Sequence, residues 1–385
     1  MFTNLYFLSC LQLTAKDDVG YCKDNFQDMA DDDAALESLG IGHGDIVQCL
    51  YEFEREVPSV AAASGMKKPF GAHMTIEGMV AKQTKIESQE TPVCSSVSFD
   101  MHAANAFQSY IQSAIAFSIK RGGILYGEVD EEKNVMVHAI FEPPQQGDGS
   151  HLVLERGSSS EQAADRIAQI LGWRKVGWVF AQSTQERDFI FTGEEVLQMA
   201  GIQDEMGECS ITGVVALFPP EDDESVPEVH FEAFQVSEQC VRLHMEGWFR
   251  ADSPEAEPSP MLKVRNPKEP KDKTPVIVAK KDVDVVDAEL FLVPVSIKDH
   301  ESMLMTSFPI ENRLLPQGPA EVKSHLNRFS SKPYGEKLKD FHLLVYLADK
   351  AGFSIEDMDN IVQSVKNGTP LSEGYVMLID ALASI

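Results

Sequence analysis

Apolar and polar positions change period several times along the chain, and each change marks an element. After Asp100, a cap residue, Ala104, Phe107, Ile111 and Ala114 recur at helical spacing, and Lys120, Arg121 and Gly122 read as stop signals. Two β-rich runs follow, Gly122 to Val129 and Asn134 to Pro143, and the polar turn Asp130 to Lys133 between them predicts a hairpin. A second helix is expected over Glu161 to Leu171, with Ala164, Ile167, Ile170 and Leu171 on one face ahead of Gly172. A strand, Arg174 to Gln182, comes next. Thr192 and Glu195 have capping-box spacing before Val196 to Ala200, and two more strands run over Cys209 to Pro219 and Glu228 to Val236. This alternation over about 98–246 predicts an α+β domain with helices packed on a mixed sheet.

The flanks read differently. Residues 1–37 form an acidic N-terminus with an Asp31-Asp32-Asp33 run, the mark of a solvated segment. In residues 38–57 the turn Gly42-His43-Gly44-Asp45 leads into alternating Ile46, Gln48 and Leu50, as in a small β-rich module, and 58–97 read as a connector. Residues 247–275 include six prolines, at 254, 258, 260, 267, 270 and 275, and read as a linker. The C-terminal domain, 276–385, starts with a strand-like run, Ala288 to Ile297. Helical stripes follow: Phe341, Leu344, Val345 and Ala348 behind Asp340, then Met358, Ile361, Val362 and Val365 behind Ser354.

Charge narrows the function. With 33 Lys and Arg against 61 Asp and Glu, the net charge of −28 disfavours nucleic acid and anionic membrane surfaces as partners. Cys10, Cys22, Cys49, Cys94, Cys209 and Cys240 stand too far apart for a zinc knuckle or a disulfide framework, which suits a reducing compartment. The apolar start, residues 1–13, has no basic residue ahead of it, and no stretch approaches the roughly 20 apolar residues of a membrane span. A cytosolic or nuclear protein without direct membrane insertion is expected.

Common nucleotide-binding, hydrolase and zincin signatures are missing. Gly122, Gly123 and Gly127 lie inside a strand with no Lys-Ser/Thr after them, so close strand packing explains them better than a phosphate loop. His138, His230 and His244 have no ligand spacing. The order helix, KRGGILYG, strand, EPPQ, helix, RKVGWVF, strand nevertheless resembles the MPN fold, whose active members are zinc isopeptidases that remove ubiquitin. Those members carry an upstream Glu as base, then His-x-His-Pro, and a later Ser and Asp. Matched on Gly177-Trp178, the two His positions are Phe180 and Gln182, the Ser and Asp positions are Phe191 and Glu194, and the upstream Glu position is Lys120. A phenyl ring cannot ligate zinc and an ammonium cannot act as an anionic base. No His lies between His151 and His230, so the loss does not depend on register.

LGIGHGD, KPFGAHMT, VSFD, KRGGILYG, FEPPQQG, VGWVF, VHFEAFQVS, QCVRL, SFPIENR and KDFHLLVYLA together resemble the nuclear protein localization 4 family in order and spacing, closest to its compact, plant-type members. The resemblance implies an α+β fold with an MPN-type mixed sheet over 98–246, a mostly helical C-terminal segment and a partial ubiquitin-like module over 38–57. It implies a non-enzymatic adaptor, needing no cofactor, that joins a ubiquitin fusion degradation 1 family protein and brings ubiquitin- or polyubiquitin-bearing substrates to the valosin-containing, Cdc-forty-eight-type AAA ATPase for unfolding and proteasomal degradation. Such a protein works in cytoplasm and nucleus, including the cytosolic face of the endoplasmic reticulum. Leu39, Ile41, His43 and Asp45 are then candidates for ATPase docking. Phe308, Pro309, Ile310, Glu311, Asn312 and Arg313 are candidates for ubiquitin or partner contact, with a structural turn as the competing reading. The chain departs from animal and fungal members in having only Cys94 across 54–97, where those members carry Cys-rich zinc modules. A metalloisopeptidase with a rebuilt site and an MPN scaffold subunit of a larger complex are the alternatives.

Overall fold

In the computed structural model the described residues are 84–183, 189–218, 228–250, 257–268 and 276–384, with the backbone of three short N-terminal strands. The chain divides into two compact units, Met1–Val80 and Ala81–Ile385. In the first, β1 (Leu11–Leu13) pairs antiparallel with β2 (Gln27–Asp28) and β3 (Val47–Cys49). β3 falls within the alternating stretch that begins at Ile46. Leu39, Ile41, His43 and Asp45 lie outside the described residues, as does the Asp31 to Asp33 run.

The second unit is α+β, as expected. Its strands begin with β4 (Thr84–Ile86), β5 (Ser96–Asp100), β6 (Arg121–Val129), β7 (Asn134–Phe141), β8 (Gln145–Gly147) and β9 (Leu152–Leu154). They continue with β10 (Arg174–Ala181), β11 (Ile211–Phe218), β12 (Glu228–Val236), β13 (Phe249–Arg250), β14 (Met261–Val264) and β15 (Val276–Val278). The last are β16 (Lys281–Val283), β17 (Val285–Asp287), β18 (Leu292–Pro294) and β19 (Ile297–His300). An eight-stranded mixed sheet has the order β18-β12-β11-β10-β6-β7-β5-β19.

The two outermost strands of that order are consecutive in sequence. Between them the Val295 N–H donates to Ala233 O on β12 at 2.9 Å, and Ser296 O accepts from the Val97 N–H on β5 at 2.9 Å. One short stretch therefore runs from one edge of the curled sheet to the other and pairs with part of each, which shortens the open edges that an isolated sheet would expose. Two bulges sharpen the curl, at Tyr126/Gly127 and at Lys175/Gly177. At Gly127 a Cβ would lie 1.8 Å from Met136 O, so the glycine is there for strand approach, as its place in the run suggests.

Helices cover the faces. α1 (Met101–Tyr110) is capped by Asp100, whose carboxylate accepts from the Ala103 N–H. It continues as a π turn, Ile111–Ile115, and ends where Ala116 and Phe117 adopt left-handed backbone, φ 51° and 52°. Lys120 and Arg121, expected as its stop signals, lie past this end and are buried in ion pairs instead. α1 packs into a core with Phe99, Val137, Val179 and Val215. α3 (Gly193–Met206) and α4 (Glu238–Met245) cover a second core around Trp178, Phe180 and Val214. α2 (Ser159–Leu171) joins the C-terminal helices α5 (Pro319–Arg328), α6 (Tyr334–Lys337), α7 (Phe341–Asp349), α8 (Ile355–Asn367) and α9 (Glu373–Leu382). Their core takes Ile124, Tyr126 and Phe141 from the sheet and Phe341, Leu344 and Val362 from the helices.

Residues 276–385 thus share a core and a sheet with 98–246. The expected linker 247–275 is corrected in its middle: β14 pairs with β13 and β17, and its Leu262 and Val264 are buried while Met261 and Lys263 face out. Flanking prolines hide this four-residue alternation.

Candidate functional site

Four of the five positions matched to the zinc isopeptidase pattern converge. Lys120, Phe180 and Glu194 line one small cavity, about 20 Å³, room for a single water, with Thr192 and His151 beside them. Phe180 stacks on Trp178 at 4.8 Å and meets the edge of Phe191 at 6.2 Å; Phe191 is fully buried and packs edge-on against Phe234. Gln182 donates its amide N–H to Ile190 O at 2.7 Å. The Lys120 ammonium donates to Glu195 Oε1 at 2.8 Å and to Ser150 O at 2.5 Å. Glu195 in turn completes the capping box of α3, its Oε2 accepting from the Thr192 N–H at 2.7 Å. A buried cation thus sits where the pattern places a base.

The donor set does not fit zinc. Two phenyl rings offer no lone pair, the neutral Gln182 amide is a poor zinc ligand, and the Lys120 charge opposes a divalent cation. Glu194 and His151, 3.8 Å apart and largely in solvent, are too few to hold the ion. Among the described residues no group of three or more His, Cys, Asp or Glu is arranged to hold a metal.

The segment Phe308 to Arg313 is first of all a clasp. Asp340, fully buried, caps α7 through Oδ1 and accepts from the Ser307 and Phe308 N–H groups through Oδ2, at 2.7 and 2.9 Å. Phe308 and Ile310 point into the fold. Glu311 receives the His342 Nδ1–H at 2.9 Å. Burial alone would depress this imidazole's pKa, but the Glu311 charge and hydrogen bond, helped by Asp340, outweigh it and hold the pKa above the ordinary value. Asn312 takes left-handed backbone, φ 55°, which lets its amide donate to Glu142 O at 2.7 Å while its own carbonyl accepts from Arg121 at 2.9 Å. Arg313 grips the Glu142 carboxylate through Nε at 2.9 Å and Nη2 at 2.5 Å, and Arg121 Nε holds its other oxygen at 2.5 Å. The Arg313 guanidinium also lies 4.3 Å from the centre of the Tyr110 ring.

Beside the clasp runs a cleft of about 480 Å³, between Ala106 and Tyr110 of α1 and Ser324, His325 and Arg328 of α5. Phe308, Pro309, Ile310 and Arg313 form its wall. At its lip Leu315 is 61% exposed, and the neighbouring Leu314 is 81% exposed, unusual for consecutive leucines.

A third group has no local signature. His138 on β7 and His300 on β19 share a hydrogen bond, Nδ1 to Nε2, at 3.0 Å across β5, where Ser98 Oγ meets His300 Nδ1 at 2.7 Å. His138 stacks on Trp173. Burial lowers both imidazole pKa values; the rings also oppose each other's charge at His300, while Glu128 partly offsets the shift at His138. Only the strand register, invisible from 162 residues of separation, brings them together.

A family model for the NPL4 family matches residues 121–192, the span that holds Phe180, Gln182 and Phe191. NPL4-like protein 2 of Arabidopsis thaliana is 39% identical over 363 residues, covering 93% of this chain and 85% of the relative. The chain belongs to the NPL4 family. A rice NPL4-like protein (Oryza sativa subsp. japonica) is 37% identical over 92% of this chain and 85% of its own length. The human nuclear protein localization protein 4 homolog is 26% identical in an alignment that covers 61% of this chain and 45% of the human protein. Likeness to the plant NPL4 proteins agrees with the plant-type resemblance carried by the motifs, and at 93% coverage it extends well beyond residues 121–192.

Proposed function

We propose that this NPL4 family member is a non-enzymatic adaptor of ubiquitin-dependent protein degradation. With a ubiquitin fusion degradation 1 family partner it binds polyubiquitinated proteins and delivers them to the valosin-containing AAA ATPase, in the cytoplasm and nucleus and at the cytosolic face of the endoplasmic reticulum. The observation that carries the non-enzymatic part is the buried Lys120 to Glu195 pair beside Phe180 and Phe191, which fills an MPN-like site with a fixed cation and phenyl rings. Ubiquitin handling rests on the family's plant and animal members and on the motif resemblance.

Phe308, Ile310 and Glu311 are turned inward, so the segment's contribution to a partner falls to Pro309, the exposed Asn312, the outer edge of Arg313 and the Leu314-Leu315 lip. Exposed leucines flanking an arginine suit a protein surface with an apolar centre. The test is affinity purification of the tagged full chain from cell extract, with mass spectrometry of what it carries. Recovery of the ubiquitin fusion degradation 1 protein, the ATPase and polyubiquitin supports the adaptor; recovery of a large stable assembly without ubiquitin or the ATPase would favour a scaffold subunit instead.

A further inference from the structure

The chain's charge of −28 is not spread evenly. From Pro319 to Lys339, Lys323, Arg328, Lys332, Lys337 and Lys339 face only Glu321 and Glu336 in their own segment. Glu336 is held by Lys339 at 2.6 Å, and the nearby Asp380 of α9 accepts the Tyr334 hydroxyl at 2.8 Å. Lys323, Arg328, Lys332 and Lys337 have no carboxylate partner among the described residues. Two of them cap half-buried aromatic rings instead, the Lys332 ammonium 5.0 Å from the Phe329 ring and that of Lys337 5.3 Å from the Tyr334 ring. The corner is rigid where it matters: His325, buried between these groups, meets Lys337 O at 2.8 Å and packs edge-on against Phe329 and Phe308.

We infer that the α5–α6 corner is a docking surface for a short acidic linear segment of a partner protein, its carboxylates on the cations that lack a carboxylate partner and an apolar side chain against the accessible rims of the half-buried Phe329 and Tyr334 rings. Charge complementarity selects the occupant. At physiological salt the screening length is about 8 Å, so a short peptide lying on the corner meets mainly the local positive charge. An extended polyanion such as a membrane or nucleic acid must also approach the rest of a strongly acidic surface. Docking at this corner is independent of ubiquitin handling, and its failure would leave that reading untouched.

The test is fluorescence anisotropy of the full chain with a labelled peptide that alternates Glu and Phe. A peptide with Lys in place of each Glu, and vesicles of equal parts phosphatidylcholine and phosphatidylserine, serve as competing probes. The acidic peptide should bind and weaken with salt. The double charge reversal K332E/K337E should bind it about tenfold less tightly, as expected for losing and opposing two exposed charge contacts, with an unchanged melting temperature. Lys298→Glu, an exposed site on β19, should leave binding unaltered. Equal binding by wild type and K332E/K337E, equal loss in the Lys298→Glu variant, binding of the vesicles but not the peptide, or no binding of any probe would each overturn the inference.

Discussion

Replacing Glu142 by Gln keeps the side chain's shape and removes the single negative charge between two guanidinium groups. The carboxylate is fully buried, and the side chains of Arg121 and Arg313 are 10% and 11% exposed, so neither arginine can turn to bulk water without displacing its neighbours. Three charge-assisted bonds converge on it. Breaking a buried pair by removing one partner costs about 3–5 kcal/mol, because the surviving charge stays buried and uncompensated; here two survive. Glu142→Gln should therefore lose about 3–5 kcal/mol in guanidinium chloride unfolding followed by tryptophan fluorescence. Arg313→Met alone leaves Glu142 with Arg121, a balanced pair, and should cost less. In the double variant one orphaned cation is gone, so the two losses should fall short of additivity by about 1 kcal/mol or more. A loss below about 1 kcal/mol for Glu142→Gln, or strictly additive losses, would show that the clasp does not hold the C-terminal helices to the sheet.

Gly177→Ala should fail to fold or lose about 2 kcal/mol or more, since φ is 149° and a Cβ would lie 2.0 Å from Ile211 O; an unchanged thermal midpoint would contradict the bulge geometry. The histidines predict two opposing pH limbs around the ordinary imidazole value of 6.5. His138 and His300 have depressed folded values, so their stabilisation is present above 6.5 and lost as pH falls through those lower values; His342 has a raised one, so its share is present below 6.5 and lost as pH rises through it. His244, likewise depressed by burial, adds to the acid limb, so unfolding free energy measured against pH should show a shallower acid limb in a His138→Asn/His300→Asn variant and a shallower alkaline one in His342→Gln; limbs of unchanged size would refute the assignment. Limited trypsin cleavage between Ala251 and Pro275 should give two fragments that co-elute on gel filtration and separate only in denaturant, because β18, β19 and α7 complete the sheet and core of the N-terminal fragment; spontaneous separation would mean independent domains.

Local chemistry is readable along the chain and long-range pairing is not. Asp100, Thr192 with Glu195, Asp340 and Ser354 all cap helices as their spacing indicates, because a cap is decided within four residues. β12 matches its expected bounds, and the glycines of β6 serve strand approach. What escapes is set by contacts between distant segments. Lys120 and Arg121 look like helix stop signals until their partners Glu195 and Glu142 are brought beside them. β14 is hidden by the prolines around it. Nothing in the run Ala288 to Ile297 announces that it breaks into a 3-10 turn and two strands serving opposite edges of one sheet. The zinc-pattern positions follow from motif register alone, yet Lys120, Phe180, Phe191 and Glu194 meet around one site, whereas the Phe308 to Arg313 segment turns Phe308, Ile310 and Glu311 into the fold.

An adaptor of this kind holds ubiquitin chains without cutting them, and both halves of that statement can be read in one experiment. The purified chain, with the ubiquitin fusion degradation 1 family protein proposed as its partner, is incubated with isopeptide-linked polyubiquitin, with added zinc or with a strong chelator, and both the chains retained and the free ubiquitin released are followed. Full-length chains should be retained equally in both conditions, with no release of free ubiquitin. Zinc-dependent shortening of the chains, or no retention under either condition, would contradict the adaptor function.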